Sequence, residues 1–147
     1  MMIKVLAIGD VGNIITTISK FSKSKIHVIN FIQDGMGKYT YADDVKTFSS
    51  YKVSEQVKQI NQIKDEFDIC ITMGTGERIA YLADLNYVPF YVGRDIDAPR
   101  FKKNSKEEWF DEPLHKLNFF ERRFYKNAFE NAVSHVAYGW AFEHLKK

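Results

Sequence analysis

The chain has 147 residues, of which 45% are hydrophobic and 27% charged, and its net charge is +2. This describes one globular domain that folds without staples. The small charge argues against nucleic acid as a partner, and no stretch reaches the about 18 apolar residues of a membrane span.

A lone cysteine, Cys70, excludes an internal disulfide and fits a reducing, cytoplasmic setting. Lys4 to Ile8 is a β-rich run ended by Gly9. It reads as a buried first strand, since it lacks the basic start of a signal peptide. Val11 to Phe21 carries Ile14, Ile15, Ile18 and Phe21 at helical spacing, which predicts that these side chains face inward. Ile26 to Ile32 is nearly all apolar, as in a strand covered on both faces. From Asp34 to Tyr51, Gly35, Gly37 and Asp43-Asp44 mark turns, with a short strand expected near Lys46 to Phe48. Gly35-Met36-Gly37-Lys38 is not a phosphate loop, because Ile32 and Tyr39 stand where Gly and Ser or Thr belong.

From Val53 the period is helical again, with Val53, Val57, Ile60, Ile63 and Phe67 on one face. Asp68 to Met73 is a third clear strand, ended by Gly74-Thr75-Gly76. Glu77 to Asn86 is predicted helical with Ile79, Ala80, Leu82, Ala83 and Leu85 inward. Val88 to Val92 is a strand ended by Gly93. Asp95 to Pro113 reads as a polar, exposed connection. Asn118 and Glu121 have capping-box spacing at the start of a long helix. Its buried face is predicted as Leu117, Phe120, Phe124, Ala128 and Ala132, with Phe119 off that stripe. Val133 to Tyr138 is a short strand and Trp140 to Leu145 opens a last helix. That helix meets Lys147 without a capping glycine, so the natural chain is expected to continue.

Alternating strands and helices predict an α/β fold: a Rossmann-like open parallel sheet of about five or more strands with helices on both faces. Residues 1–147 form a single domain in this reading. Ligands of such sheets bind beyond the carboxyl ends of the strands. Three turns qualify. Gly9-Asp10-Val11-Gly12-Asn13 leads into a helix, whose dipole and N–H groups suit an anion, or it is simply a tight turn. Gly74-Thr75-Gly76-Glu77-Arg78 has two glycines for close backbone approach, with Glu77 and Arg78 in the first helical turn, or Glu77 simply complements the helix dipole. Gly93-Arg94-Asp95-Ile96-Asp97 offers an arginine and two acids that suit a sugar hydroxyl, a phosphate or a general base, or form a surface ion cluster. The histidines His27, His115, His135 and His144 lack metal spacing, so no metal site is expected. Cys70, inside a strand, reads as an inert core residue. Lys116 to Lys126 mixes basic and aromatic residues. It reads as a core helix with a solvated face, or as a peripheral contact with an anionic inner membrane face.

Three segments carry a family resemblance: IKVLAIGDVGN, FDICITMGTGERIAYLADLNYVPFYV and NFFERRFYKNAFENAVSHVAYGWAFEHLKK. They resemble the first strand and glycine turn, the "strand, small-residue turn, helix, x-V-P, strand" segment, and the "E-R-x-x-Y-x-x-A" helix of the N-terminal domain of GT-B-fold glycosyltransferases, of the retaining group that uses nucleotide-sugar donors. The resemblance covers nearly the whole chain, more loosely between Gly35 and Ser54. It implies the acceptor-binding half of an enzyme that moves a sugar from a nucleotide-sugar to an acceptor hydroxyl, on a sugar or a glycolipid. No other cofactor is implied. Gly9, Asp10, Gly12 and Asn13 would face the donor phosphates. Gly74, Thr75, Gly76, Glu77 and Arg94 would line the acceptor side. Asp95 and Asp97 are the candidates for a catalytic carboxylate. Relatives place a histidine after the strand matching Val88 to Val92. Gly93-Arg94-Asp95 stands there instead, so no catalytic histidine is carried over. The donor-binding C-terminal domain would be missing, which leaves the isolated chain inactive. The alternative is a stand-alone Rossmann-like module that binds a nucleotide or sugar phosphate. A receiver domain is disfavoured, because Asp10 lacks an acidic neighbour and Gly74 to Gly76 holds no aspartate.

Overall fold

The computed structural model describes residues 3–10, 13–30, 45–92 and 119–137. In chain order these form β1 (Lys4–Ile8), α1 (Ile14–Phe21), β2 (Lys25–Asn30), β3 (Lys46–Thr47), α2 (Val53–Asn61), β4 (Ile69–Thr72), α3 (Gly76–Leu82), β5 (Tyr87–Tyr91), α4 (Phe119–Glu130) and β6 (Val136–Ala137). A 3-10 turn at Lys64–Glu66 follows α2.

The strands make one six-stranded sheet in the order β3-β2-β1-β4-β5-β6, with every pair parallel. This is the Rossmann-like α/β architecture read from the sequence. The chain first steps from β1 to β2 and β3, then returns past β1 to β4, β5 and β6. Right-handed crossovers in opposite directions put their helices on opposite faces. The core follows the same alternation. Leu6, Ile8 and Cys70 join Ile60, Ile79 and Ala80 of α2 and α3. Ala7, Val28 and Met73 join Ile15 of α1 on the other face. The direction of strand order reverses between β1 and β4, so a crevice is expected where their carboxyl ends part.

Several expectations are corrected by the packing. In α1 the buried residues are Ile15 and Thr16, while Ile18 and Phe21 are exposed. The Asp10 carboxylate binds Ile15 and Thr16 and so turns that side of the helix inward. Leu82 and Phe120, predicted as core, are exposed, whereas Ile79, Ala80, Ala83 and Ala128 are buried. The strand expected from Val133 pairs only at Val136–Ala137, because the Val133 N–H instead donates to the Tyr87 carbonyl at 3.0 Å.

The helix expected to reach Asn86 stops at Leu82. The Leu85 N–H donates to the Ala80 carbonyl and the Asp84 N–H to the Tyr81 carbonyl, with Asp84 left-handed at φ 55°. That is the Schellman ending, with aspartate where glycine is usual, so the stop signal was hidden. Asp84→Gly should raise stability by about 0.5 kcal/mol and Tm by about 1–2 °C. A thermal melt checks this, and a lower Tm would contradict it.

Candidate functional site

The expected ligand edge is bounded by the turns that follow β1 and β4. After β1, Gly9 adopts φ 83° and donates its N–H to the Ile29 carbonyl at 2.8 Å. Asp10 is buried. Its Oδ1 accepts the Ile15 N–H at 2.7 Å, and its Oδ2 accepts the Thr16 N–H at 2.9 Å together with the Thr16 hydroxyl. The Asp10 N–H donates in turn to Asn30 Oδ1 at 3.2 Å, tying the turn to the end of β2. Asn13 stands left-handed at φ 58° just before α1, and its side chain makes no cap. The first-turn N–H groups of α1 thus bind a carboxylate supplied by the chain itself. Gly12 lies outside the described residues.

After β4, the Met73 N–H donates to the Ile8 carbonyl at 3.0 Å, and Gly74 turns the chain at φ 56°. Gly76 opens α3 against β1. A Cβ there would lie 2.1 Å from the Ile8 carbonyl oxygen. The contact allows only glycine and holds the Gly74–Glu77 turn over the end of β1. Thr75 is the exposed tip of that turn.

Glu77, in the first turn of α3, is 1% exposed. Tyr91, the last residue of β5, donates its hydroxyl to Glu77 Oε2 at 3.4 Å and lies 3.5 Å from His135 Nδ1. The Tyr91 and His135 rings stack at 6.0 Å, and Phe129 of α4 stacks on His135 at 4.0 Å. A carboxylate, a phenol and an imidazole therefore run from α3 across β5 to the start of β6. Thr72, at the end of β4, is buried, and its hydroxyl has no hydrogen-bond partner among the described residues.

The structure brings Gly9, Asp10, Asn13, Gly74, Thr75, Gly76 and Glu77 to one edge of the sheet. Arg94, Asp95 and Asp97 lie outside the described residues. Sequence reasoning missed Asn30, Thr72, Tyr91 and His135. A strand-end position was available as a signal for Asn30, Thr72 and Tyr91. Nothing local announces His135, which meets Tyr91 across 44 positions.

The chain matches no family model, no curated protein and no solved structure. Its chemistry therefore rests on its own groups. Among the described residues, no three His, Cys, Asp or Glu side chains converge as a metal site, and no helix is long and apolar enough to cross a membrane. Burial pushes the Cys70 thiol well above its usual range, which keeps it protonated and unreactive. A cavity of about 360 Å³ opens at the opposite, amino end of the strands, lined by Leu6, Lys64, Asp68, Cys70 and Asp84 among others. Two of its polar groups are already engaged: Lys64 Nζ donates to the Ala83 carbonyl, and Asp68 accepts the Lys4 N–H. The hydroxyls and shaped turns gather at the carboxyl edge, where open parallel sheets bind ligands.

Proposed function

We propose that this domain is the acceptor-binding half of a glycosyltransferase that transfers a sugar from a nucleotide-sugar to an acceptor hydroxyl. The donor-binding half would belong to a second domain. The reading rests on the three segments that resemble the N-terminal domain of GT-B enzymes, and on a sheet order that reverses between β1 and β4, the position where open parallel sheets bind ligands. A cytoplasmic setting, with an acceptor carried on a sugar or a glycolipid, goes with it.

The observation that carries the choice is the seat of Asp10. A module that holds a nucleotide on its first βα turn needs the free N–H groups and positive end of that helix. Here the Asp10 carboxylate takes the Ile15 and Thr16 N–H groups, so a phosphate placed there would meet a buried like charge, and the expected donor-phosphate role of Gly9, Asp10, Gly12 and Asn13 is given up in this proposal. That disfavours the stand-alone nucleotide module. It suits a wall whose neighbouring turn, Gly74 to Glu77, meets a neutral polyhydroxyl ligand. The leaving diphosphate needs preorganised N–H groups or cations, which this reading assigns to the second domain.

The isolated 147 residues should therefore give no transfer from UDP-glucose to octyl glucoside. They should bind octyl glucoside, held below its critical micelle concentration, and not UDP-glucose. Calorimetry and a product assay check both. Turnover, or saturable UDP-glucose binding with no glucoside binding, would sink the proposal.

A further inference from the structure

α4 begins with Phe119 and Phe120, which are 70% and 79% exposed and lie edge to face at 5.8 Å. Adjacent exposed phenylalanines are costly in water unless something covers them. Their place in the fold follows from the helix axis. Just past its far end, which is Glu130, the Val133 N–H meets the Tyr87 carbonyl at the start of β5. Midway, the Phe124 ring meets Tyr81 at 5.2 Å and the Arg78 guanidinium at 5.5 Å. The helix has 12 residues and is therefore about 18 Å long, so its first turn stands at the carboxyl edge of the sheet beside the Gly74–Glu77 turn.

Arg123 and Lys126 are exposed; Arg123 follows Phe120 by three residues and Phe119 by four, and Lys126 follows Arg123 by three, which keeps both cations on the same side of the helix as the rings. Lys126 is only loosely held, by Glu130 at 3.6 Å with both side chains more than half exposed. Two apolar rings at the tip with two cations behind them match the section of a bilayer. The rings fit the acyl boundary, and the cations, about one and two helical turns further along, fit anionic headgroups.

We propose that the Phe119-Phe120 tip docks the domain on an anionic lipid bilayer, which sets the candidate site against the membrane surface. Combined with the transferase reading, on which this last step rests, the acceptor would be the headgroup of a lipid in that bilayer. The docking itself does not depend on that reading.

Vesicle co-sedimentation tests the docking with the whole chain. Phosphatidylcholine vesicles containing about one third phosphatidylglycerol should carry the protein down, while pure phosphatidylcholine should carry far less. Phe119→Ser/Phe120→Ser should weaken partitioning at least about tenfold, with an unchanged circular dichroism spectrum because both rings are exposed. Arg123→Gln/Lys126→Gln should weaken it about tenfold and reduce its salt dependence. The proposal is overturned by no sedimentation with the anionic vesicles, or by equal binding of the Phe119→Ser/Phe120→Ser protein. A concentration-dependent dimer abolished by that variant, without vesicle binding, would also overturn it and assign the tip to a second copy.

Discussion

Gly76→Ala is expected to destabilise the fold by at least about 3 kcal/mol, lowering Tm by about 6 °C or more. The added methyl would sit 2.1 Å from the Ile8 carbonyl oxygen, 2.9 Å from its carbon and 3.2 Å from Ile8 Cγ2. Two of those atoms are backbone in the central strand, and the carbonyl also accepts the Met73 N–H. Neither α3 nor β1 can yield without breaking ladder hydrogen bonds between β1 and β4. Thr75→Ala, at the exposed tip of the same turn, should change stability by less than about 0.5 kcal/mol. Urea unfolding of the two variants checks the contrast. A Gly76→Ala loss below about 1 kcal/mol would mean that α3 does not press on β1 in this way.

Asp10→Ala carries the second large effect, a loss of about 2–3 kcal/mol. It strips the partner from the Ile15 and Thr16 N–H groups and from the Thr16 hydroxyl, all buried. Asp10→Asn keeps one acceptor oxygen but turns an amide donor toward these donors, so it should cost about 1–2 kcal/mol. The ranking wild type, Asn, Ala in chemical unfolding is the measurement. A neutral Asp10→Ala would show that solvent replaces the carboxylate and that the cap is dispensable. The same substitution frees the positive end of α1. The Ala variant should then gain weak phosphate binding that the wild type lacks.

Much of the fold was legible because β1, β4 and β5 are short, largely apolar runs closed within two residues by a glycine. β1, β4 and β5 were found almost to the residue, and even the two-residue β3 fell where the sequence placed it. The face of α2 was also legible, since Val53, Val57 and Ile60 join the core; Ile63 and Phe67 join it too, from the two ends of the 3-10 turn beyond the helix's end at Asn61. Helix faces failed where an interaction outside the periodicity decided the rotation. A cap on Thr16 from Asp10, six residues earlier, outweighs the Ile18 and Phe21 stripe in α1, and exposed Phe120 breaks the stripe in α4. The site was half legible. Glycine turns announce where a backbone must bend, and Gly9 and Gly74 do bend there with positive φ. Nothing local says that Glu77 reaches Tyr91 and through it His135, because those partners meet only once the sheet has formed.

The central claim is that the carboxyl edge between β1 and β4 receives an acceptor rather than a nucleotide. A residue-resolved amide NMR titration of the isotope-labelled chain tests it most directly, with octyl glucoside below its critical micelle concentration as one probe and UDP-glucose as the other. The account predicts saturable shifts with the glucoside at Gly9, Thr72 and Gly74 to Glu77, and no saturable shifts with UDP-glucose. Saturable UDP-glucose shifts centred on Gly9 to Thr16, or glucoside shifts confined to Lys64, Asp84 and Asn86 at the opposite edge, would contradict it.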